Sequence, residues 1–91
     1  MAVYITMVHL EGGTRHEHIT KVRWENRETS ATGENSKAEM VKWIEDGGDC
    51  RVANGASYVK VGVVEPASGP KYLRTYADGK WTDNLLALPR Y

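Results

Sequence analysis

Hydrophobic and polar residues alternate on both sides of Gly12-Gly13 in the first part of the chain, residues 2–25. Such alternation is typical of half-buried strands, and a glycine pair between two strands is typical of a tight hairpin turn. A turn centred on the glycines pairs Val3 with Val22, Ile5 with Thr20, Met7 with His18, and His9 with His16. Because a slip by one residue would mix the faces, this register predicts an inner face of Val3, Ile5, Met7, Val22 and Trp24.

A helical pattern follows a polar stretch. Residues 26–35 contain no large apolar side chain, so we expect a solvated, mobile loop there. Ser36 and Glu39 have the spacing of a capping box, and Gly47-Gly48 is a typical C-terminal stop. The spacing predicts an amphipathic helix of about three turns that packs on a sheet. Its apolar face consists of Met40, Val41, Trp43 and Ile44.

The second half of the chain has the pattern of strands. Residues 51–53 and the valine-rich stretch 58–65 are two of them, with a turn at Asn54-Gly55. Residues 71–76 alternate again, and Asp78-Gly79 predicts a second hairpin. Its register pairs favourable cross-strand partners, which are Tyr76 with Trp81, Thr75 with Thr82, and Arg74 with Asp83. The apolar tail, residues 85–89, is expected to pack on the body of the domain.

This order of elements predicts a single domain, residues 1–91, of the α+β class. We expect a mostly antiparallel, strongly twisted sheet of five to six strands with one helix packed on it, in the order β-β-α-β-β-β. Because one helix covers only one face of a sheet, a strongly curled, barrel-like sheet is a variant of the same prediction. The pattern leaves the order of the strands within the sheet open.

Composition argues against several classes of partner. The 91 residues carry 12 Lys and Arg against 12 Asp and Glu with no run of five like charges, unlike a strong binder of duplex DNA or of an acidic membrane. A chain of this size buries one modest core, so we expect shallow ligand sites. Cys50 is the single cysteine, and the apolar start, residues 1–10, resembles a strand more than a secretory signal or a membrane span. We therefore expect a cytoplasmic protein with Cys50 as a reduced, buried thiol.

Several sequence blocks together resemble a known family. They are Tyr4-Ile5-Thr6, His16-Glu17-His18-Ile19 after the glycine pair, Val22-Arg23-Trp24, VKWIE from Val41 to Glu45, Tyr72-Leu73-Arg74-Thr75, Asp78-Gly79, and Asp83-Asn84-Leu85-Leu86 with Leu88-Pro89. From about Tyr4 to Pro89 the chain resembles domain of unknown function family 3892, whose members are small proteins of bacteria and archaea. The stretch 26–35 takes no part in the resemblance. The resemblance implies one domain and no particular reaction, ligand or partner.

Three histidines form the sharpest candidate site. In the predicted register of the first hairpin, His9, His16 and His18 lie on one face, with His9 opposite His16. Imidazoles at that spacing could bind one zinc ion, with water, Glu11 or Cys50 as a fourth ligand, and zinc-bound water ionises near neutral pH. The alternative is structural, because short His-x-His motifs are common and such histidines usually hydrogen-bond a carbonyl or a carboxylate.

A second candidate is a binding surface formed by Tyr72, Arg74, Tyr76, Trp81 and Asp83. Aromatic residues that alternate with a basic residue on a strand can stack bases and hold phosphate, as proteins that bind single-stranded nucleic acids do. However, Asp83 lies opposite Arg74 in the predicted register and would neutralise it. The same pairs also stabilise a hairpin. Weak single-stranded nucleic-acid binding through Tyr72, Arg74 and Tyr76 is therefore an alternative function.

The sequence contains no nucleophile turn, phosphate-binding glycine loop, CxxC pair or HExxH helix. Trp24, Trp43 and Trp81 are expected mainly in the core, and one of them exposed beside tyrosines would mark a protein-binding site. We therefore predict a small non-catalytic interaction or accessory domain without a cofactor, which binds a protein partner through a sheet face or edge. We expect a monomer or an edge-paired homodimer. The alternatives are the zinc protein and the weak nucleic-acid binder.

Overall fold

One sheet and one α-helix make up residues 2–91, the part of the chain that the computed structural model describes. The strands are β1 (Ala2–Leu10), β2 (Ile19–Glu25), β3 (Thr32–Ser36), β4 (Asp49–Asn54), β5 (Ser57–Val64), β6 (Tyr72–Ala77) and β7 (Lys80–Thr82). The helix is α1 (Lys37–Glu45), and a short 3₁₀ turn, His16–His18, precedes β2. The predicted α+β class is confirmed, whereas the predicted five to six strands are too few, because β3 arises from the stretch expected to be a loop. Met1 belongs to the predicted domain but lies outside the described residues.

The strands follow one another in the sheet in the order β3-β2-β1-β4-β5-β6-β7. The sheet is mixed: β1 and β4 run parallel, and every other neighbouring pair runs antiparallel, as the prediction of mostly antiparallel pairing requires. α1 carries the chain from the edge strand β3 past β2 and β1 to β4. It contacts β2 and β3 on one side and β5 and β6 on the other, so the sheet curls around the helix.

α1 begins and ends where the sequence predicts. Ser36 Oγ accepts a hydrogen bond from the Glu39 N–H (3.2 Å), and the Glu39 carboxylate accepts one from the Ser36 N–H (2.9 Å). At the other end, the N–H groups of Gly47-Gly48 donate to the carbonyls of Ile44 and Trp43 at 3.0 and 2.9 Å. This is the Schellman arrangement, and it requires the positive φ of its first glycine, +102°.

The first hairpin differs from the predicted register. His9 lies opposite Lys21 and not opposite a second histidine, because the connection is longer than a two-residue turn and contains the 3₁₀ turn His16–His18. The glycine pair of this connection accommodates a side chain, since the imidazole of His18 lies against Gly13 where a Cβ atom would clash. The prediction of a tight turn at the two glycines is therefore wrong.

A β-bulge in β1 changes which of its side chains face the core. The register of β1 against β2 shifts between Ile5 and Met7, so the alternation of faces is interrupted there. Val8 is fully buried, while Met7 is only half-buried. The predicted inner positions Val3, Ile5 and Val22 are confirmed, and the inner position predicted for Met7 is wrong.

The polar stretch 26–35 is more ordered than predicted. Its second half lies in β3, which pairs with β2 so that Gly33 is opposite Trp24. Its first half is a turn around the buried Asn26. The side-chain oxygen of Asn26 accepts hydrogen bonds from the backbone N–H groups of Glu28 (3.0 Å) and Thr29 (3.3 Å). The prediction of a mobile loop is therefore wrong for residues 32–35, which form an edge strand.

The second hairpin has the predicted register. Tyr76 lies opposite Trp81, and Arg74 forms an ion pair with Asp83 at 2.9 Å. Both residues of Asp78-Gly79 have positive φ, 52° and 79°, as the central residues of a type I′ turn require. This turn connects the strands with two residues, so the pairing follows directly from its position in the sequence.

The core lies between α1 and the inner face of the sheet. Cys50 is 2% exposed, which confirms the predicted buried thiol, and this burial raises the pKa of its thiol group to about 12. Leu85 is fully buried, which confirms that the apolar tail packs on the body. The buried hydrophobic residues are Val3, Ile5, Val8, Ile19, Val22, Met40, Val41, Cys50, Val52, Val59, Val61, Leu73 and Leu85. Within residues 2–91, no helix has the length and apolar character needed to cross a membrane.

The last residues of the chain extend the sheet beside β1. Beyond the stretch where β1 pairs with β4, the Val8 N–H donates to the Pro89 carbonyl at 3.0 Å, and the Tyr91 N–H donates to the Val8 carbonyl at 3.2 Å. Val8 and Arg90 form an isolated parallel bridge there. The tail therefore occupies the edge of β1 that β4 leaves free.

Candidate functional site

A cavity opens between α1 and the β2–β3 hairpin. Its volume is about 550 Å³, which suits a small-molecule ligand and is more than the shallow site that we expected from the chain length. Two tryptophans line it, Trp24 from β2 and Trp43 from α1, together with Val3, Met40 and Asn26. The cavity thus joins the apolar core to the polar turn after β2.

Both tryptophan rings of the cavity rest on glycine. Trp24 lies over Gly33 of β3, and Trp43 lies over Gly48 beyond the end of α1. An added Cβ at either glycine would come within 3.0 Å of the ring. The indole N–H of Trp24 also donates to Asn35 Oδ1 at 2.7 Å. Backbone contacts and a hydrogen bond therefore hold the aromatic walls in place.

Glu39 is the one charged side chain among the described residues that line this cavity. The backbone N–H of Ser36, then the Ser36 hydroxyl and the Asn35 side chain, donate hydrogen bonds that hold the pKa of the Glu39 carboxyl below its ordinary value. The group is therefore ionised at neutral pH. Since no lysine or arginine lines the described part of the cavity, its lining carries a net negative charge.

A row of aromatic and basic side chains crosses the opposite, solvent-facing side of the sheet. Neighbouring strands pair so that Cα partners follow one another in this order: Tyr4, Arg51, Lys60, Tyr76 and Trp81. We name these five residues, together with Tyr58 two positions before Lys60, the outer row. Tyr58, Tyr76 and Trp81 are the exposed large hydrophobic residues of the described chain, at 39%, 44% and 42% exposure.

Several ring faces in the outer row are already covered. The guanidinium carbon of Arg51 lies 3.9 Å from the ring centroid of Tyr58, and that of Arg27, from the turn after β2, lies 3.9 Å from the centroid of Tyr4. The last two rings of the row pack edge to face, with 5.2 Å between centroids. Cation–π and edge-to-face contacts therefore order the aromatic side chains of this surface.

The basic side chains near the outer row differ in how they are paired. Arg51 forms an ion pair with Asp49 at 2.8 Å, and Arg74 forms one with Asp83 at 2.9 Å. Lys60 is exposed, and among the described residues no carboxylate forms an ion pair with it. The outer row therefore carries positive charge that is free to meet a partner's carboxylate.

The binding surface predicted from the sequence lies on this same side of the sheet. Tyr72, Arg74 and Tyr76 alternate along β6, with Trp81 on β7 and Asp83 just after it. Besides its ion pair with Asp83, the Arg74 side chain donates to the carbonyl that ends β7 at 3.2 Å, so it stabilises the hairpin. The structure brings the five predicted residues together, and the Arg74–Asp83 pair that we expected to neutralise this surface is formed.

The prediction missed the middle of this surface, which β4 and β5 supply. Arg51, Tyr58 and Lys60 were assigned to strands only. A signal was available, because Tyr58 and Lys60 flank the buried Val59 and must therefore share the solvent side of β5. Without the strand order, nothing in the sequence joined β5 to Tyr4 on β1.

Two of the three histidines are held by hydrogen bonds to other parts of the protein. The Nδ1–H of His9 donates to the carbonyl oxygen of Tyr91, and this bond, with a weaker contact to Glu11 at 3.4 Å, raises the pKa of His9. The Nδ1 of His18 accepts a hydrogen bond from the Arg15 N–H at 3.1 Å. His9 thus makes the carbonyl and carboxylate contacts that the structural alternative expects, whereas His18 binds a backbone N–H.

His16 is the buried histidine, with 8% exposure. Its Nε2 has no hydrogen-bond partner among the described residues and lies 3.8 Å from Asp83 Oδ1. Burial, and then the charge of Arg74, lower the pKa of His16. Within residues 2–91 no three His, Cys, Asp or Glu side chains gather as metal ligands. The corrected register removes the geometric argument for zinc, and zinc binding stays a prediction that titration of metal-stripped protein tests.

These features define a class of protein: a small α+β domain in which one helix packs on the inner face of a curled, mixed sheet, with an acidic aromatic cavity beside the helix and a basic aromatic row on the outer face. The family model described as Protein of unknown function (DUF3892) matches residues 4–89, and the chain belongs to this family. The resemblance drawn from the sequence blocks is thereby confirmed. No curated protein and no solved structure matches the chain.

Proposed function

We propose that this domain is a protein-interaction module whose outer row binds an acidic, partly apolar segment of a partner protein. The composition of the row carries the proposal. Tyrosine, tryptophan and arginine dominate the binding energy of protein interfaces. The large hydrophobic residues that the described chain exposes, Tyr58, Tyr76 and Trp81, all belong to the row.

An acidic partner is supported by the charges along the row. Lys60 is exposed and unpaired within the described chain, and Arg27 contributes a second cation that stacks on Tyr4 without an ion pair there. A carboxylate of the partner meets Lys60 while apolar side chains next to it cover Tyr76 and Trp81. Complementary charges of this kind speed association and select the partner.

A single-stranded nucleic acid is the alternative partner, and the geometry supports it less well. Base stacking needs free ring faces, whereas guanidinium groups cover Tyr4 and Tyr58. The phosphate contact that was predicted for Arg74 competes with its ion pair to Asp83.

The edges of the sheet, β3 and β7, are the places where the predicted homodimer would pair.

A titration followed by amide NMR signals tests the proposal. The probes are a short peptide of alternating glutamate and leucine and, separately, a short single-stranded oligonucleotide, both at physiological ionic strength. We expect saturable shifts at Lys60, Tyr76 and Trp81 with the peptide and none with the oligonucleotide. If the oligonucleotide shifts the row, with an affinity that falls steeply as salt rises, the function is nucleic-acid binding and the proposal is wrong.

A matched pair of charge reversals isolates the row. Lys60→Glu is expected to weaken peptide binding by about fivefold or more, because it replaces an attraction with a repulsion. Lys42→Glu makes the same change at an exposed position of α1, on the other side of the sheet, and is expected to leave binding unchanged. Equal effects of the two variants would show that only net charge matters, and they would refute a specific site.

A further inference from the structure

We propose a second, independent binding site: the cavity between α1 and the β2–β3 hairpin binds an organic cation that carries an alkylated ammonium group. The inference starts from two tryptophans, Trp24 and Trp43, that line one cavity of about 550 Å³. Indole offers the best aromatic face for a cation, and sites built from such faces recognise quaternary ammonium groups.

The walls of the cavity are prepared for a ligand before it binds. Trp24 and Trp43 are both partly exposed, and each rests on the backbone of a glycine, Gly33 or Gly48. The hydrogen bond from Trp24 to Asn35 fixes the rotation of one ring. Because the glycine contacts and this hydrogen bond already restrict the two rings, binding costs little loss of side-chain freedom.

The charge of the lining selects a cation over an anion. Glu39 is ionised and lies at the start of α1, and no basic side chain among the described residues lines the cavity. The N-terminus of α1, which would otherwise attract an anion, is already occupied by the reciprocal hydrogen bonds of Ser36 and Glu39. A carboxylate accepts several contacts at once, so Glu39 can keep its cap and still attract a cation.

The ligand also needs an apolar body. Val3 and Met40 are buried and line the cavity, and a strongly hydrated ion placed against them would lose its water without compensation. An ammonium group whose hydrogens are replaced by methyl groups is weakly hydrated and apolar on its outside. Choline, tetramethylammonium and a trimethylated lysine side chain share this chemistry.

Titration of the whole protein with choline, followed by the indole N–H signals of its three tryptophans, tests the site. We expect saturable shifts at Trp24 and Trp43 and none at Trp81, which serves as an internal control. A neutral analogue of choline, with carbon in place of nitrogen, is expected to bind at least about threefold more weakly, because it lacks the cation–π attraction. Absent or non-saturable shifts, or equal affinity of the two probes, would overturn the proposal.

Variants separate the charge of the site from its shape. Glu39→Gln removes the carboxylate but keeps a side chain that caps a helix at this position, so we expect a folded variant with a slightly lower melting temperature and choline binding weakened by about threefold or more. Trp81→Ala, outside the cavity, is expected to leave choline binding unchanged. If Glu39→Gln binds choline as tightly as the unchanged protein, the carboxylate has no part in recognition and the assignment fails.

Two sources of the cation are distinguished by a peptide that contains trimethyllysine and its unmethylated counterpart. Tighter binding of the methylated peptide than of choline, with the same two indole shifts, identifies a modified protein as the source. Binding of choline in preference to both peptides identifies a free small molecule. Preference for the unmethylated peptide would contradict the proposed chemistry, because a primary ammonium is strongly hydrated.

Discussion

The cavity and the outer row contain the same kinds of aromatic side chain in opposite surroundings. In the cavity, Trp24 and Trp43 share the lining with the Glu39 carboxylate, and both rings rest on glycines. A Cβ atom added to either glycine would lie within 3.0 Å of the ring. In the outer row, Trp81 lies on the same face of the sheet as the cations Arg51 and Lys60, and a Cβ added at Gly62 would lie 3.2 Å from its ring. Charge and support, and not residue type, therefore distinguish the cavity from the outer row.

The largest effect is expected where rings and glycines meet. Gly48→Ala places a Cβ against the Trp43 ring and should reduce the free energy of unfolding by about 1–3 kcal/mol, because a packed ring has to move. Gly62→Ala, the matched change under Trp81, should alter it by less than about 0.5 kcal/mol, since that half-exposed ring can give way. Denaturant unfolding measures both. Equal losses would show that the two regions are supported alike.

The helix cap beside the cavity gives the next largest effect. Ser36→Ala removes the hydroxyl that accepts the Glu39 N–H, and it should reduce the free energy of unfolding by about 1 kcal/mol. On the outer row, Lys60→Gln removes an exposed, unpaired charge and should change stability by less than about 0.5 kcal/mol. Thermal unfolding of both variants compares them. A larger loss for Lys60→Gln would mean that the row is part of the framework and not a free surface.

The smallest effect is a difference in the response to acid. Arg74, Asp83 and Glu17 face His16, and burial, as the largest influence, lowers its pKa. The neutral ring therefore contributes stability that is fully present above pH 6.5 and is lost as the pH falls through the lowered pKa. The pKa of Glu39 lies below 4.5, so the cap keeps its charge throughout that range and loses it only in stronger acid.

NMR spectra recorded as the pH is lowered from 7 towards 5 should therefore shift first around His9, whose pKa is raised, and only at lower pH around the 3₁₀ turn that contains His16. The indole signals of Trp24 and Trp43 should stay in place. His16→Asn removes the titrating group and should flatten the dependence of unfolding free energy on pH in this range. His9, whose pKa is raised, acts in the opposite direction and is present in both proteins. An equally steep dependence in the variant would assign the acid response to another group.

The two hairpins show what local sequence can determine. Asp78-Gly79 predicted a register correctly, because both residues adopt the positive φ that a two-residue turn demands. Gly12-Gly13 carries an equally strong signal but lies inside a longer connection, in which Gly13 makes room for the His18 ring. The sequence alone does not distinguish a glycine required by a close contact from a glycine required by a tight turn. The pairing of His9 with His16 failed for this reason.

Tertiary contacts account for the other errors. β3 has no alternating apolar residues, and its contacts with β2 include Gly33 under the Trp24 ring and the hydrogen bond from the Trp24 indole to Asn35. The strand conformation of β3 is therefore determined by its contacts with the neighbouring strand and not by the intrinsic preferences of its own residues. The cavity escaped prediction because Trp24 and Trp43 were assigned to the core, and only the structure shows that they meet across a gap. Part of the outer row could be predicted from the sequence, because the predicted pairing of β6 with β7 places Tyr76 opposite Trp81.

The parallel pairing of β1 with β4 also determines how the molecule folds. It is the one strand pair of the described sheet that joins strands distant in sequence, and it holds over three residue pairs, Ala2–Tyr4 with Asp49–Arg51. On either side lies a meander, β1-β2-β3 or β4-β5-β6-β7, whose strands pair with their neighbours in the chain. Closing the seam between the meanders orders a long intervening segment, and such closure is the slow part of folding. We therefore expect two halves that form quickly and a folding rate set by the seam that joins them.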